Sequence, residues 1–285
     1  MSAQSDDLTR GTDQRQQWDS VAAGWGKWWR TIDNGAQWVS ERMLDLAELR
    51  PGHCVLDIAT GIGEPALLAA SRVGPTGRVV ATDLSSRMLD VARERATSLG
   101  LTNVQFMEVD AERLDFPDGS FDVVLCRWGI TSLPNPSSTL AAIRRMLTPN
   151  GSFATAVWEA GPRGRPLASL AGAVAREMFD SSSLREEPPA PPGSARKALE
   201  EEMIRAGFGN SRIEEMTLAL HFPTAEDCIQ YLVDVSPEFA ALLSARSSGE
   251  RAEYRHSLAE RLRPFVTADG SIRIPNVTNC AAGRR

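Results

Sequence analysis

The run Val55-Leu-Asp-Ile-Ala-Thr-Gly-Ile-Gly-Glu-Pro65 sets a carboxylate, Asp57, just ahead of two closely spaced glycines, Gly61 and Gly63. Val55, Leu56 and Ile58 read as a buried strand and the glycines as a tight turn. Pro65 suits the first turn of a helix, where its missing N–H costs nothing. Strand, glycine turn and helix make a nucleotide-type binding edge of an α/β sheet. The carboxylate selects among nucleotides: beside a turn built for pyrophosphate it repels the ligand. Beside the ammonium and sulfonium charges of S-adenosylmethionine it attracts. Two alternatives stay open. Gly61, Gly63 and Ala66 also satisfy the loose dinucleotide pattern G-x-G-x-x-G/A of nicotinamide-dependent oxidoreductases, although there the strand usually runs straight into the first glycine, whereas Asp57, Ile58, Ala59 and Thr60 intervene here. An ordinary strand-to-helix turn without a ligand is the other.

Two more acids stand at strand ends. Gly77-Arg-Val-Val-Ala-Thr-Asp83 reads as a second strand, and an acid at its tip can accept both ribose hydroxyls of an adenosine. Ser85 follows as a helix N-cap, with Met88, Leu89, Val91, Ala92, Ala96 and Leu99 at helical spacing before Gly100. Asn103–Ala111 is a third strand ending in Asp110, where a carboxylate can accept the adenine amino group. A lone Asp at a strand end is more often a cap; three in succession form a pattern.

The elements that position these acids continue in alternation. Asp122–Trp128 reads as a strand, Ser137–Leu147 as a helix, Leu147–Gly151 as a turn and Gly151–Trp158 as a fifth strand. This spacing implies a mainly parallel sheet covered by helices on both faces, an α/β, doubly wound, Rossmann-like architecture. Further along, Arg165–Phe179 reads as a helix, Glu187–Gly193 as a stiff proline-rich linker, Ala195–Ala206 as a helix and Ser211–Phe222 as a strand. Thr224-Ala-Glu-Asp227 has capping-box form and opens a helix, another lies near Glu250–Leu262, and a last strand lies around Ile272–Ala281.

The motifs VLDIATGIGEPALLAA, VVATDLSSRMLDVAR, VDAERLDFPDGSFDVVLCRWGI and IRRMLTPNGSFATAVW, in that order, resemble those of class I S-adenosylmethionine-dependent methyltransferases. The likeness is to the type 11 group related to the ubiquinone/menaquinone-biosynthesis methyltransferases, and covers about residues 17–160 strongly. It implies a seven-stranded sheet and S-adenosyl-L-methionine as cofactor. Asp57 and the backbone of Ala59, Thr60, Gly61 and Gly63 would line the methionine end. Asp83 would take the ribose, Leu84 the adenine face, and Asp110 and Ala111 the adenine edge. Arg127 would contribute backbone near the methionine moiety, and Met88 and Trp25 complete the expected cofactor-binding set. Ala59 stands where many relatives carry the first of three glycines, an exchange tolerated at negative φ. The resemblance further implies helical insertions near 161–195 and 224–265 that shape the acceptor pocket, with the last two strands completing the sheet.

Composition bounds the rest. The chain has 285 residues, 42% of them apolar, and a net charge of −6, which argues against nucleic-acid partners. No apolar run approaches the ~20 residues of a membrane span, and the polar N-terminus lacks a signal-peptide core, so a cytoplasmic enzyme is expected. Cys54, Cys126, Cys228 and Cys280 are scattered, with no C-x-x-C and no neighbouring histidine cluster, which argues against a zinc site and a disulfide framework. The Asn135-Pro136 turn is not the N/D-P-P-Y/F motif of nucleic-acid amino methyltransferases, so a small-molecule acceptor is favoured; a homodimer is compatible with this reading.

Five of the seven tryptophans, Trp18, Trp25, Trp28, Trp29 and Trp38, lie near the start. Gly24 and Gly26 among them suit a hinged lid as well as plain core packing. The expected organisation is therefore a disordered tail over 1–16, a helical lid over 17–48, the cofactor-binding core over 49–160, and cap helices with the last two strands over 161–285. Methyl transfer is an in-line displacement in which the protein aligns the acceptor and excludes water. No residue announces itself as a general base; His221, Glu159 and His256 are candidates, none with a context that singles it out, and the base stays open. A cofactor-binding protein of this fold with regulatory or other chemistry is the rival reading.

Overall fold

In the computed structural model, which describes residues 2–133, 135–179 and 191–285, the first element is a helix, α1 (Ser2–Leu46). Five strands then alternate with helices: β1 (Cys54–Ile58), α2 (Ala66–Val73), β2 (Arg78–Asp83), α3 (Ser86–Ser98), β3 (Val104–Glu108), β4 (Phe121–Arg127), α4 (Pro136–Met146) and β5 (Leu147–Trp158). The second half adds α5 (Pro166–Phe179), α6 (Ser194–Arg205), β6 (Gly209–Phe222), α7 (Ala225–Val235), α8 (Pro237–Ser244), α9 (Ser248–Arg261) and β7 (Ile272–Arg284). The seven strands form one sheet in the order β3-β2-β1-β4-β5-β7-β6. The first five are parallel, and β7 runs antiparallel to β5 and to β6.

Burial on both faces explains the near-continuous apolar runs in β1 and β4. One face packs Val55, Val79, Val123, Leu125 and Ala154 against α1, α2, α5 and the α7–α9 group. The other packs Leu56, Ile58, Val124, Phe153 and Val157 against α4 and α6. Local signals place the helix starts: Ser85 and Thr224 accept from the backbone N–H of Met88 and Asp227, and Ser247 with Glu250 forms a full capping box. The predicted 147–151 turn survives as an irregularity within β5, since Leu147 pairs with Phe121 but Ser152 pairs with Val123. Helix α8 has no counterpart in the sequence reading. Of the predicted linker, residues 187–190 lie outside the described residues.

The N-terminus departs most from expectation. Residues 2–16, read as a tail without structure, are helical and continuous with the rest of α1. Polar composition did not preclude this, because the Ala, Leu, Arg and Gln residues among them carry little penalty in a helix and offset the Ser, Thr, Asp and Gly. Arg15 forms an ion pair with Glu108 of β3. The C-terminal half of α1 is core: Ile32, Ala36, Val39, Met43 and Leu44 are buried, and Arg42 pairs bidentately with Glu214 of β6 at 2.7 and 2.5 Å.

Nor do the two glycines interrupt the helix. A Cβ on Gly24 would lie 1.9 Å from the carbonyl oxygen of Asp234, so this glycine lets α1 and α7 touch backbone to backbone. Around it, the Trp25 indole N–H donates to the Val235 carbonyl at 2.9 Å and the Trp28 N–H to Asp234 Oδ2 at 2.8 Å. A Cβ on Gly26 would meet only the Val91 methyls, at 3.5 Å. The two substitutions therefore have opposite expected signs in chemical denaturation. Gly24→Ala should destabilise by about 1–3 kcal/mol through overpacking. Gly26→Ala should stabilise by roughly 0.5–1 kcal/mol through helix propensity. Two stabilising results would mean that α1 does not sit against α7.

Candidate functional site

The parallel register brings the C-terminal ends of β1, β2, β3 and β4 to one edge of the sheet. The acids singled out by sequence stand there. Asp57 is fully buried; its Oδ2 accepts from the Thr60 hydroxyl at 2.6 Å and from the Ala66 N–H, at the start of α2, at 3.2 Å. Its Oδ1 is buried and has no hydrogen-bond partner among the described residues. Burial pushes the Asp57 carboxyl up to about 7, against the opposing pull of the Thr60 hydrogen bond and the nearby Arg127 charge.

The glycine turn closes through Gly63 N–H to the Thr60 carbonyl at 2.9 Å and docks on β2 through Thr60 N–H to the Thr82 carbonyl at 2.9 Å. Gly61 and Gly63 have φ of 56° and 105°, the left-handed region that glycine enters without strain. A Cβ on Gly61 would meet nothing within 4 Å, so open space adjoins the turn. Ala59 also lies in this region, at φ 53°. The expectation of a negative φ there is corrected: this alanine carries a local strain of roughly 1–2 kcal/mol, and strain of this kind gathers at functional sites. Trp128, one residue past β4, is a second such residue, at φ 61°.

Asp83 is more than a free strand-tip acid. Its Oδ2 accepts from Gly61 N–H at 2.8 Å and its Oδ1 from Ser85 N–H at 2.9 Å, so it ties the glycine turn to the start of α3. Burial raises its carboxyl above the usual range. Leu84 follows it, half-buried, and Met88 lies one turn into α3 in a cluster with Val21, Ala22 and Ile62, packed by Trp18 and Trp25. Asp110 takes the common duty of a strand-end acid: it caps a short 3-10 turn, accepting from Glu112 N–H at 3.0 Å, with Ala111 beside it. Trp25 reaches this edge from α1.

Sequence reading missed a buried charge network beside the turn. Arg95 of α3 donates to the Ile62 carbonyl at 2.8 Å, to Asp33 of α1 at 2.5 Å and to Glu64 at 3.3 Å. Burial raises the carboxyls of Asp33 and Glu64. Arg127, 9% exposed, donates to the Ser40 hydroxyl of α1 at 2.8 Å, and its guanidinium lies 4.7 Å from the Trp128 ring. The Trp128 indole stacks on Trp158 at 4.2 Å between centroids and donates to the Thr278 hydroxyl at 3.0 Å. The partners in this network come from separate segments, and only the clustering of tryptophans hinted at it.

The candidate bases do not converge on the edge. Glu159 accepts from Asn279 and from the Ala160 and Ala195 N–H groups, a structural set. His221 is exposed on β6. Cys126 is buried and its thiol is pushed up to about 12. Among the described residues no group of three or more His, Cys, Asp or Glu side chains could hold a metal ion, and no helix is long and apolar enough to cross a membrane.

Sheet order and site together define the class I methyltransferase fold. Residues 55–151 match the family described as methyltransferase domain. A ubiquinone/menaquinone biosynthesis C-methyltransferase UbiE from Ectopseudomonas mendocina is 36% identical over 199 residues, covering 62% of this chain and 75% of that protein. The namesake from Pseudomonas savastanoi pv. phaseolicola is 40% identical over 109 residues, 38% of this chain and 43% of that one. Among solved structures, phosphoethanolamine N-methyltransferase 2 of Haemonchus contortus in complex with S-adenosyl-L-methionine shares the fold at TM-score 0.52 and 22% identity, over 87% of this chain and 52% of that one. The [4+2]-cyclase SpnF shares it at TM-score 0.54 and 19% identity, over 88% and 81%. The chain belongs to the S-adenosylmethionine-dependent methyltransferase family that includes the UbiE proteins.

The raised carboxyl at Asp57 has a consequence for stability. Its folded value of about 7 exceeds the ordinary 3.8, so the folded state binds the extra proton between those limits. The stability it contributes is present at low pH and is lost as pH rises through about 7. Asp33, Glu64 and Asp83 are raised too and act with the same sign. The ligand-free protein should therefore melt at lower temperature at pH 8 than at pH 5.5, and Asp57→Asn should shrink that difference. An unchanged difference in the variant would place the titration elsewhere.

Proposed function

We propose that the chain transfers the methyl group of S-adenosylmethionine to a small-molecule acceptor, with the cofactor lying across the ends of β1, β2 and β3. When bound, the cofactor supplies a methyl group already activated on a sulfonium. The observation that carries the reading is Asp57 Oδ1, a buried carboxylate oxygen just ahead of the glycine turn with no partner among the described residues. An unpaired buried acceptor is costly, and an ammonium group is the complementary donor. Asp57 and the backbone of Ala59, Thr60, Gly61 and Gly63 would hold the methionine end.

Asp83 would accept the ribose hydroxyls on lone pairs not engaged by Gly61 and Ser85, since a carboxylate offers about four acceptor sites. Leu84 and Met88 would flank the adenine, with Asp110 and Ala111 at its edge. Trp25, held by the Val235 carbonyl, would close the site from α1 and exclude water. The stacked Trp128 and Trp158 at the β4 and β5 ends are suited to an apolar acceptor wall. The C-methyltransferase names of the relatives support a carbon nucleophile. The net charge of −6 weighs against a nucleic-acid acceptor.

Incubation with methyl-labelled S-adenosylmethionine and a panel of phenols, quinones and amines should move label to at least one acceptor. Calorimetry should show S-adenosylhomocysteine binding, weakened about tenfold to a hundredfold by Asp57→Asn, the loss of one charged hydrogen bond. Binding of NAD with no response to either adenosyl ligand would overturn the reading.

A further inference from the structure

Asp57 and Arg127 stand on one face of the sheet at its ligand-binding edge. In the parallel β1–β4 register Asp57 pairs with Leu125, and Arg127 lies two residues further along the same strand, so its side chain emerges on the same face. One is a carboxylate with an oxygen that finds no partner among the described residues. The other is a guanidinium nine-tenths buried whose single hydrogen bond among those found is to a neutral hydroxyl, Ser40, although it has five N–H donors. Among the described residues Arg127 has no ion pair within 4.0 Å, whereas Arg95 has two. Two opposite charges, both buried and both under-partnered, are arranged as the complement of a zwitterion.

We propose that Asp57 and Arg127 form a clamp for an α-amino acid group, with the Arg127 side chain as the seat of the cofactor's α-carboxylate. This rests on the methyltransferase reading and adds a side-chain role where sequence resemblance implied only backbone. Arg suits the task because its planar fork matches a carboxylate with two parallel hydrogen bonds. Trp128 packs on the guanidinium face and Ser40 of α1 holds one amino group, so the fork is oriented before a ligand arrives. Charge balance agrees: the neighbourhood holds three carboxylates, Asp33, Asp57 and Glu64, and two guanidiniums, Arg95 and Arg127. If all are ionised the sum is one negative charge, and S-adenosylmethionine, with ammonium, sulfonium and carboxylate, carries one net positive charge.

The test is a ligand–variant cycle read by calorimetry, using S-adenosylhomocysteine and its decarboxylated analogue, which keeps the amine and lacks the carboxylate. The wild-type chain should bind S-adenosylhomocysteine about tenfold to a hundredfold more tightly than the analogue. In Arg127→Met that preference should collapse to within about threefold, and Arg127→Lys, which keeps the charge but not the fork, should fall between. A preference undiminished in Arg127→Met overturns the clamp. Should Arg127→Met fail to fold, the wild-type and Arg127→Lys arms decide: equal affinity of the wild-type chain for both ligands, or a full preference retained by Arg127→Lys, overturns it. Failure of the wild-type chain to bind either ligand defeats the methyltransferase reading itself.

Discussion

A carboxylate taken out of water at the end of the first parallel strand is the constraint around which the rest is arranged. Desolvating an ion is costly unless hydrogen bonds and opposite charge offset it. Thr60 and the first N–H of α2 offset part of that cost at Asp57, and Arg127 adds a favourable field. The same two hydrogen bonds fix the glycine turn against the strand end. The turn in turn presents Gly61 N–H to Asp83 and the Ile62 carbonyl to Arg95. The edge is thus a chain of local bonds anchored on one energetically unfavourable group.

Helix α1 is part of that edge and of the core at once. Its C-terminal half is buried beside the sheet, while its N-terminal half carries Trp25 to the cluster around Ile62 and Met88. Asp33 and Ser40 join the helix to Arg95 and Arg127. Any movement of the tryptophan-bearing turns relative to the sheet must therefore stretch an ion pair beside the glycine turn. The position of the tryptophan-bearing turns and the geometry of the glycine turn are coupled through Arg95.

The strand-end acids and the positions of the first five strands along the chain were legible in the sequence because they rest on short-range signals: apolar runs, glycine turns and an acid in a fixed place. Asp33–Arg95 and Arg127–Ser40 were not, since each joins segments far apart in the chain and a single Asp, Ser or Arg on a helix or strand announces no such partner. Ala59 and Trp128 were illegible for another reason: glycine advertises a left-handed backbone, but an alanine or tryptophan forced into one does not. Gly24 was legible as a special position but not as a contact, because a hinge and a close helix crossing ask for the same residue. Pro237 opens a helix of only eight residues, too short for apolar periodicity to stand out.

The position of β7 between β5 and β6 also governs how the chain can be made. As the polypeptide leaves the ribosome, the β1–β5 half can assemble early, but the open side of β5 has no neighbour until residues 272–284 emerge. Strand β6 appears sooner and must wait, since it pairs with β7 and not with β5. The nascent protein thus carries a bare backbone edge through the synthesis of the five described helices α5–α9 and one orphan strand, the condition under which partly folded chains pair with one another. Slow translation across α6–α9 would lengthen that exposure, and rapid delivery of the last strand would end it.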